Sequence, residues 1–327
     1  MLIVNPNLTV DRTIPLGELV PGDVIRTGRA AVTLGGKGIN VARVGRAFGD
    51  RAPVISFLPR ESRTTLDALA AAEGAELQGI DVAGSVRGAA ILLEDSGRVT
   101  VLNEPGPEVA ERDWAALLTL VERAAAAHET VVCAGSLPPG SPVDAYARVV
   151  AAAHRAGARA VVDAAGDVLR ATLAAAPDVV SPNLAEAESL VSGRLVEGVE
   201  PAGADVPERA RRAAEDLLAR GARQAIVSAG SRGAAAASRA GGAEFLPAPR
   251  VRVVNPIGAG DSLVGGLVHA LEEGRDWRAA AAFALATASA SCERELAGGI
   301  DPARAHELDR GPQPNRARRP ERGGVGA

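Results

Sequence analysis

The sequence predicts an α/β fold with a mostly parallel central sheet, helices on both faces and a small additional β-layer. The 327-residue chain alternates short apolar runs with segments of helical periodicity, which is the pattern of βαβ units. Strands are predicted at 54–58, 130–134, 160–163, 179–181 and 224–228. Helices are predicted at 39–48, 64–72, 113–127, 144–156, 168–176, 184–191, 209–220, 261–271 and 278–290.

Two segments without helical periodicity account for the additional β-layer. Residues 11–34 carry turn signals and alternation, and residues 89–103 are typical of a hairpin whose loop contains Ser96 and Gly97. We therefore expect a small β lid made of 11–34 and 87–105. The predicted α/β body consists of 1–10, 35–86 and 106–309. The tail, 310–327, is rich in proline and glycine and has no apolar period, so it is predicted to be disordered.

Composition and charge exclude several classes of protein. The 36 Lys and Arg residues against 40 Asp and Glu give a net charge of −4 and a pI near 5.7, so we expect no nucleic-acid partner. The most apolar stretch, 279–292, is too short and too weakly apolar to span a bilayer, and residues 2–4 resemble a strand rather than a targeting segment. Cys133 and Cys292 lie in apolar surroundings, which indicates a reducing compartment. We expect a globular cytoplasmic protein with no membrane partner.

The use of basic residues is uneven. Lys37 is the single lysine among the 36 basic side chains, and it stands between glycines in the run 35–38. Taken alone, a lone lysine is equally compatible with chance. However, a compact ammonium suits tight sites that a planar guanidinium does not, and Asn40, one turn into the following helix, offers its amide to hydroxyl groups. The cluster therefore favours a ligand site over a plain glycine-rich helix entry.

The strongest local signal is the octapeptide 255–262, Asn-Pro-Ile-Gly-Ala-Gly-Asp-Ser, which precedes an apolar helix. Glycines let the backbone approach a ligand, and the unpaired amides and dipole of a helix N-terminus form an anion site. The pattern lacks the third glycine of a dinucleotide fingerprint and the Lys-Ser/Thr of a Walker A loop. Asp261 would repel a bound phosphate unless it accepts a proton from the attacking group. A simple helix cap is the alternative, and the pattern favours the catalytic interpretation.

A third segment, 181–186, ends a strand and starts a helix. Asn183 and Glu186 have the spacing of a capping box. A functional interpretation would have the amide and the carboxylate orient waters around Mg²⁺, which keeps much of its hydration shell. From these residues alone, the capping box is favoured.

Glycine-rich exits follow two further strands, at 134–140 and 228–233. Because ligands bind beyond the carboxyl ends of strands in parallel sheets, these glycine-rich segments predict one shared crevice.

The histidines are scattered along helical segments without a common spacing, so we expect surface or packing residues and no metal cluster. They are His128, His154, His269 and His306.

In this order and at these spacings, the motifs resemble the ribokinase-like (PfkB-type) sugar kinase family, in particular its 1-phosphofructokinase and tagatose-6-phosphate kinase branch. The resemblance runs from about residue 2 to residue 303. Its most specific parts are 35–42 and 258–262, with 135–140 and 183–186 between them. It implies a ribokinase-like fold whose β lid covers the sugar and forms a homodimer contact.

The resemblance implies a role for each matching residue. Asp261 corresponds to the catalytic base, and the anion hole corresponds to the amides of Gly258, Ala259 and Gly260. The implied sugar-binding positions are Asp11, Gly35, Gly36, Asn40 and Ser136. The implied nucleotide-binding positions are Asn183, Glu186, Ser228, Gly230 and Gly233. Glu186 is expected to hold Mg²⁺ through water, which replaces the capping interpretation.

The choice of branch depends on charge, because a phosphosugar needs cations at its far end. Lys37 in the sugar-side motif and Arg87 before the hairpin fit the branch's phosphate clamp, with Arg26 as a third candidate. Each charge-assisted contact to phosphate contributes roughly 1.5–3 kcal/mol. The chain departs from the family pattern on the nucleotide side and in the lid, and the departures are Ser181, Asn255, Pro256, Gly88 and Ala89.

The resemblance therefore predicts an ATP- and Mg²⁺-dependent kinase that converts a ketohexose monophosphate into a bisphosphate. Its expected partners are ATP and a sugar phosphate, and the acceptors to consider are fructose 1-phosphate, fructose 6-phosphate and tagatose 6-phosphate. Two alternatives stay open. One is a kinase of a free sugar or nucleoside on the same fold, and the other is a non-catalytic protein that binds a sugar phosphate.

Overall fold

The computed structural model describes residues 1–28, 30–193 and 201–311. Within them, thirteen strands form two sheets. In chain order the strands are Leu2–Val4 (β1), Thr9–Leu16 (β2), Ala31–Gly35 (β3), Val54–Pro59 (β4), Leu77–Val82 (β5), Arg87–Glu94 (β6), Val99–Asn103 (β7), Thr130–Ala134 (β8), Arg159–Asp163 (β9), Val179–Val180 (β10), Gln224–Ser228 (β11), Gly233–Ser238 (β12) and Gly242–Pro247 (β13).

The larger sheet has nine strands in the order β13-β12-β11-β10-β9-β8-β1-β4-β5. Neighbours from β5 to β11 are parallel, and β12 and β13 add an antiparallel edge. The smaller sheet has the order β3-β2-β6-β7, in which β2 and β6 are parallel and the two outer pairs are antiparallel. This architecture confirms the predicted α/β fold with a mostly parallel central sheet and a separate small sheet.

Helices cover both faces of the larger sheet. Those in the described residues are Lys37–Ala47 (α1), Arg63–Glu73 (α2), Glu111–Ala125 (α3), Ala145–Arg155 (α4), Gly166–Leu173 (α5), Leu184–Ser192 (α6), Val206–Ala219 (α7), Ala259–Glu272 (α8), Trp277–Cys292 (α9) and Pro302–Arg310 (α10). Short 3₁₀ turns span Arg60–Ser62 and Gly230–Arg232. Across these same residues, no helix has both the length and the apolar character needed to cross a membrane.

The alternation of side chains along the central strands divides the core into two layers. In β1, Leu2 and Val4 face the layer covered by α3 to α7, which also buries Trp114 and Tyr146. Ile3 faces the opposite layer, which is covered by α1, α2, α8 and α9. Both faces of β1 are therefore apolar, as expected of a parallel strand covered by helices on both sides.

All the predicted helices and strands are present, and their ends differ from the predicted ones by at most three residues. The sequence analysis missed β5, β12, β13 and α10. Strand β12 reads Gly-Ala-Ala-Ala-Ala-Ser, a composition with little intrinsic β preference. It forms because it pairs on both sides, with β11 and with β13.

The small sheet extends beyond the predicted lid limits at two points. Strand β2 begins at Thr9, and Gly35 is the partner of Thr9 in β3, so Gly35 belongs to the small sheet rather than to the larger one. The predicted tail, 310–327, lies outside the described residues except for its first two positions. Of these, Arg310 is the last residue of α10 rather than part of a disordered segment.

Two glycines allow helix α8 to pack closely against α1 and α9. A Cβ atom at Gly265 would lie 2.8 Å from Cβ of Val44 in α1. A Cβ atom at Gly266 would lie 2.5–3.0 Å from three side-chain atoms of the buried Thr287 in α9. Because one of these atoms is Cβ itself, no rotation of the Thr287 side chain removes the clash. The small residues thus fix how closely α8 approaches its neighbours.

We expect Gly266→Ala to destabilise the protein although alanine is the better helix former. Helix propensity favours alanine by up to about 1 kcal/mol, whereas overpacking a tight core costs typically about 1–3 kcal/mol. With the full propensity gain subtracted, urea denaturation should therefore show a net loss of up to roughly 2 kcal/mol in the free energy of unfolding. Gly45→Ala in α1 is the matched control, since its nearest neighbour is the flexible end of Met1 at 3.2 Å. Equal unfolding midpoints for the two variants would contradict the steric account.

Candidate active site

A cavity of about 500 Å³ lies between the two sheets. One wall is formed where parallel strands end, by Gly135 after β8, Asp163 at the end of β9 and Ser228 at the end of β11. The other wall is one face of the small sheet, including Asp11 of β2 and Asn103 of β7. The predicted crevice beyond the carboxyl ends of the strands is therefore present.

Asp261 lines this cavity from the first turn of α8. Its side chain is buried, and its Oδ2 accepts a hydrogen bond of 2.7 Å from Nδ2 of Asn40. The helix begins at Ala259 after Gly258, whose φ of +81° is the left-handed conformation that favours glycine. A Cβ atom at Gly258 would also lie 3.0 Å from the amide nitrogen of Gly298. The amide-bearing residues 258–260 and the carboxylate thus line the same part of the cavity.

The surroundings of Asp261 bring its pKa close to neutrality. Burial raises the pKa, the Lys37 ammonium lowers it, and the Asp163 carboxylate raises it. The hydrogen bond from Asn40 lowers it and the charge of Asp11 raises it. Together these effects raise the pKa of Asp261 to about 7. A carboxyl group with this pKa can both take and release a proton near neutral pH.

Lys37 is the first residue of α1 and lines the cavity. Nζ lies 3.2 Å from Oδ1 of Asp163 and 3.9 Å from Oε1 of Glu186. Burial alone would lower the pKa of Lys37, but the carboxylates of Asp163, Glu186 and Asp261 raise it above its ordinary value. The ammonium is therefore permanently charged, and it faces the Asn183–Glu186 side of the cavity. Its contacts differ from the sugar-side phosphate clamp predicted from the motif.

The far end of the cavity holds Arg87, the other predicted clamp residue. Its guanidinium donates to the backbone carbonyls of Asn7 and Glu104, both at 3.2 Å, and burial lowers its pKa. Asp11 lies nearby, and burial raises its pKa. A Cβ atom at Gly35 would lie 2.2 Å from the Asp11 carboxyl carbon, so Gly35 makes room for this side chain without lining the cavity itself.

Several buried polar atoms at this end have no hydrogen-bond partner within the described residues. They are Asn7 Oδ1, Thr9 Oγ1, Asp11 Oδ1 and Arg87 Nε. An unsatisfied buried donor or acceptor typically costs about 1–3 kcal/mol. Three of these residues, Thr9, Asp11 and Arg87, also line the cavity.

Asn183 and Glu186 form a capping box and also line the cavity. Oδ1 of Asn183 accepts from the Glu186 amide at 2.9 Å, and Oε2 of Glu186 accepts from the Asn183 amide at 2.8 Å. The other carboxylate oxygen of Glu186, Oε1, faces Lys37. The two interpretations of this segment are therefore compatible, because one oxygen caps α6 while the other faces the cavity.

The remaining predicted residues divide into those that line the cavity and those that do not. Gly36, Asn40, Ser136 and Ser228 line it. Gly230 and Gly233 do not line it. A Cβ atom at Gly233 would lie 2.0 Å from the Leu246 carbonyl oxygen, which gives that glycine a packing role in β12. Arg26 is exposed and does not line the cavity.

Asp163 is the main site residue that the sequence analysis missed. It is buried at the end of β9 and holds the Lys37 ammonium. The sequence could have identified Asp163 as a site residue, because a charged residue at the end of an apolar parallel strand lies at the sheet edge where ligands bind. Its partner, 126 positions earlier in the chain, could not be read from any local motif.

We expect Asp261→Asn to raise the thermal stability of the protein above about pH 7. The folded-state pKa of about 7 lies above the ordinary value of 3.8, so the native protein binds the proton more tightly and loses stability as the pH rises between these values. Asparagine cannot ionise and escapes this loss. Scanning calorimetry should show a melting-temperature gain of at least about 3 °C at pH 8, shrinking towards pH 5. Asp216→Asn on the exposed face of α7 is the control, and parallel pH curves for wild type and Asp261→Asn would contradict the prediction.

Comparison with known proteins places this site in a family. Residues 5–304 match the pfkB family carbohydrate kinases. The chain is 33% identical over 294 residues to the 1-phosphofructokinase of Rhodobacter capsulatus, covering 86% of this chain and 88% of that protein. It is 28% identical over 267 residues to the 1-phosphofructokinase of Vibrio cholerae, covering 82% and 81%.

Solved structures show the same fold. The crystal structure of phosphofructokinase-2 from Escherichia coli in complex with potassium superposes with a TM-score of 0.83 at 24% identity, covering 95% of this chain and 98% of that one. The ribokinase of Arabidopsis thaliana, solved with ribose and ATP, superposes with a TM-score of 0.68 at 22% identity, covering 94% and 98%. The chain therefore belongs to the pfkB family of carbohydrate kinases and is a kinase of the ribokinase-like fold.

Proposed function

We propose that this kinase transfers a phosphoryl group from ATP to a hydroxyl of a ketohexose monophosphate and produces a bisphosphate. The observation that carries the proposal is the position of Asp261, a buried carboxyl with a pKa of about 7 beside the N-terminus of α8. Two cationic side chains line the same cavity, Lys37 beside Asp163 and Glu186, and Arg87 near Asp11. A free sugar carries no anionic group for the second cation to bind, whereas a phosphosugar carries a phosphate.

The relatives support this substrate class. Both curated relatives are named 1-phosphofructokinase. Phosphofructokinase-2 from Escherichia coli, solved with fructose-6-phosphate, superposes with a TM-score of 0.81 at 25% identity over 95% of this chain and 98% of that one. Fructose 1-phosphate, fructose 6-phosphate and tagatose 6-phosphate are therefore the acceptors to compare.

In the proposed reaction Asp261 takes the proton of the acceptor hydroxyl as its oxygen attacks the γ-phosphorus of ATP. The new oxygen–phosphorus bond forms as the bond to the ADP oxygen breaks, and ADP leaves with the electron pair. The amides of Gly258 and Gly260 are proposed to face the developing charge at the start of α8, where the helix dipole also favours an anion. The Ala259 amide donates to the carbonyl oxygen of Pro256 at 3.2 Å and would have to share that bond to take part. Positioning and charge stabilisation supply most of the acceleration in such transfers.

Lys37 is assigned here to the transferred phosphoryl group rather than to the far phosphate of the sugar. Its ammonium lies among the carboxylates of Asp163, Glu186 and Asp261, between the proposed base and the proposed nucleotide side. On the sugar side, Asp11, Gly36, Asn40 and Ser136 are proposed to hold hydroxyls, with Arg87 on the phosphate.

On the nucleotide side, Asn183, Glu186 and Ser228 are proposed to hold the ATP phosphates, and Glu186 to hold Mg²⁺ through water. The donors present, the Asn183 amide and the Glu186 carboxylate, line the cavity and fit that mode of binding, because Mg²⁺ prefers oxygen ligands and keeps several waters in such sites. When bound, the ion neutralises phosphate charge. The further assignment of Gly230 and Gly233 to the phosphates rests on the motif alone, since neither lines the cavity.

The small sheet is proposed to act as a lid over the sugar and as a homodimer contact. Its two edge strands carry exposed apolar side chains, Val32 on β3 and Leu102 on β7. Unpaired strand edges with exposed apolar residues are surfaces that a second chain can cover. A related protein, phosphofructokinase-2 from Escherichia coli, is described as tetrameric in its inhibited form.

A substrate panel with Asp261→Asn tests the proposed function. Purified wild type with ATP and Mg²⁺ should release ADP with one of the three ketohexose phosphates at a higher kcat/KM than with fructose, ribose or adenosine. Asp261→Asn should lower kcat by roughly 10²- to 10⁴-fold. The kcat/KM of the wild type should fall below about pH 7, because the base must be ionised and its pKa is about 7. Asp216→Asn again serves as control, and preferential turnover of a free sugar or nucleoside, or none of any acceptor, would overturn the proposal.

Arg87→Gln separates phosphosugar binding from nucleotide binding. We expect the KM for the ketohexose phosphate to rise by roughly 10- to 150-fold, since a charge-assisted contact contributes roughly 1.5–3 kcal/mol. The KM for ATP should change by less than about twofold. Arg98→Gln, in the turn between β6 and β7 and paired with Glu94, should leave both constants unchanged. A similar rise in both constants for Arg87→Gln would remove Arg87 from the sugar end of the cavity.

A further inference from the structure

Arg43 connects several parts of the site without lining the cavity. It lies in α1, one turn after Asn40, and its side chain is 12% exposed. Nη1 donates to Oδ1 of Asn40 at 2.7 Å and to the carbonyl oxygen of Ala297 at 2.6 Å. Nη2 donates to the carbonyl oxygen of Leu34 at 2.9 Å and to Glu73 at 2.6 Å. The guanidinium is therefore held by four acceptors from different parts of the chain.

The bond from Arg43 decides which end of the Asn40 amide faces Asp261. A guanidinium has donors and no acceptor, so the amide must turn its oxygen towards Arg43. Its NH₂ group is then aimed at Oδ2 of Asp261, which it contacts at 2.7 Å. With the amide reversed, two donors would meet at Arg43 and two acceptors at Asp261. Arg43 thus fixes the orientation of the group that holds the proposed base.

The other bonds of Arg43 reach the lid and the segment behind the anion hole. Leu34 is the penultimate residue of β3 in the small sheet, and its amide donates to Glu73 at 2.7 Å. Ala297 packs beside Gly258, where a Cβ atom would lie 3.2 Å from the Ala297 side chain. One partly buried ion pair, Arg43–Glu73, therefore joins the end of a lid strand to the loop beside the start of α8.

We propose that Arg43 is a positioning residue for phosphoryl transfer, which acts through Asn40 to hold Asp261 in the orientation that accepts the proton. Its bonds to the carbonyls of Leu34 and Ala297 tie that orientation to the small sheet and to the anion-hole loop. This proposal rests on the proposed function, in which Asp261 is the base. Arg43 itself does not line the cavity, and its hydrogen bonds go to Asn40, Ala297, Leu34 and Glu73 rather than to Asp261.

The groups facing Asp261 define what loss of Arg43 changes. They are Lys37 and Asn40 from α1, Asp163 from β9 and Asp11 from β2. Lys37 and Asn40 favour the ionised carboxylate, whereas Asp163 and Asp11 oppose it. When the Asn40 amide is no longer fixed, one of the two favourable contacts weakens. The proton is then held more tightly, and the base becomes ionised only at higher pH.

Arg43→Gln tests the proposal by kinetics with ATP and the acceptor that the wild type turns over best. We expect kcat to fall by roughly 10- to 100-fold, because small misplacements of a reacting group have effects of this size. The KM for ATP should stay within about twofold, and the acidic limb of kcat/KM should move to higher pH by about one unit. Glu73→Gln should shift both quantities in the same direction by a smaller amount, since it leaves Arg43 in place. Arg43→Lys should recover part of kcat.

Arg46→Gln is the matched control, because Arg46 lies on the same helix and its Nη1 has no partner in the described residues. It should keep the wild-type kcat and acidic limb. A merely structural role for Arg43 predicts a lower melting temperature with an unchanged acidic limb and an unchanged kcat, and that result would overturn the proposal. If Arg43→Gln does not fold, Glu73→Gln and Arg43→Lys decide by the same two readouts.

A second measurement is independent of turnover. Asp261→Asn is introduced into the wild type, into Glu73→Gln and into Arg43→Lys. For each pair of proteins, with and without Asp261→Asn, the difference in melting temperature is measured as a function of pH. We expect the pH at which this difference levels off to lie higher in both variant backgrounds. If the difference levels off at the same pH in all three backgrounds, the positioning role is overturned, even if the wild type phosphorylates no ketohexose phosphate. Failure of the proposed function and failure of this inference are therefore distinguishable.

Discussion

The site depends on one electrostatic balance, the burial of the Asp261 carboxylate against the few groups that keep it able to ionise. Burial and two neighbouring carboxylates oppose its charge, and one ammonium and one amide favour it. Burial is the largest effect that raises the pKa of Asp261, and the Lys37 ammonium is the largest that lowers it. The position of every contributor must therefore be maintained, which makes the surrounding packing part of the chemistry.

That packing is provided by helices whose contacts leave α8 little freedom. Gly265 and Gly266 allow α1 and α9 to approach α8 so closely that a single added carbon would clash. Helix α1 also carries Lys37 and Asn40, the two groups that favour the ionised base. The rigid α1–α8 pair therefore fixes the carboxylate relative to its partners before any ligand binds, which is the preorganisation that electrostatic catalysis requires.

The sequence could predict those parts of this site that depend on a few consecutive residues. Glycines before a helix, followed by Asp261, form a pattern that spans only a few residues, so its position in a cavity was predictable. The pairing of Lys37 with Asp163 was not, because it joins the start of α1 to the end of β9 across the sheet order. The lysine was identified by its rarity, but the side of the cavity that it faces depends on which strand ends lie next to each other.

The choice of lysine at this one position follows from the geometry of its partners. Three carboxylates, those of Asp163, Glu186 and Asp261, surround the ammonium from different elements. A planar guanidinium prefers to pair with a single carboxylate through two parallel hydrogen bonds, which would engage one partner and displace the others. A compact ammonium with three donors can be shared among them and can still face a bound phosphate. In a chain that otherwise uses arginine for every basic side chain, this shared role accounts for the exception.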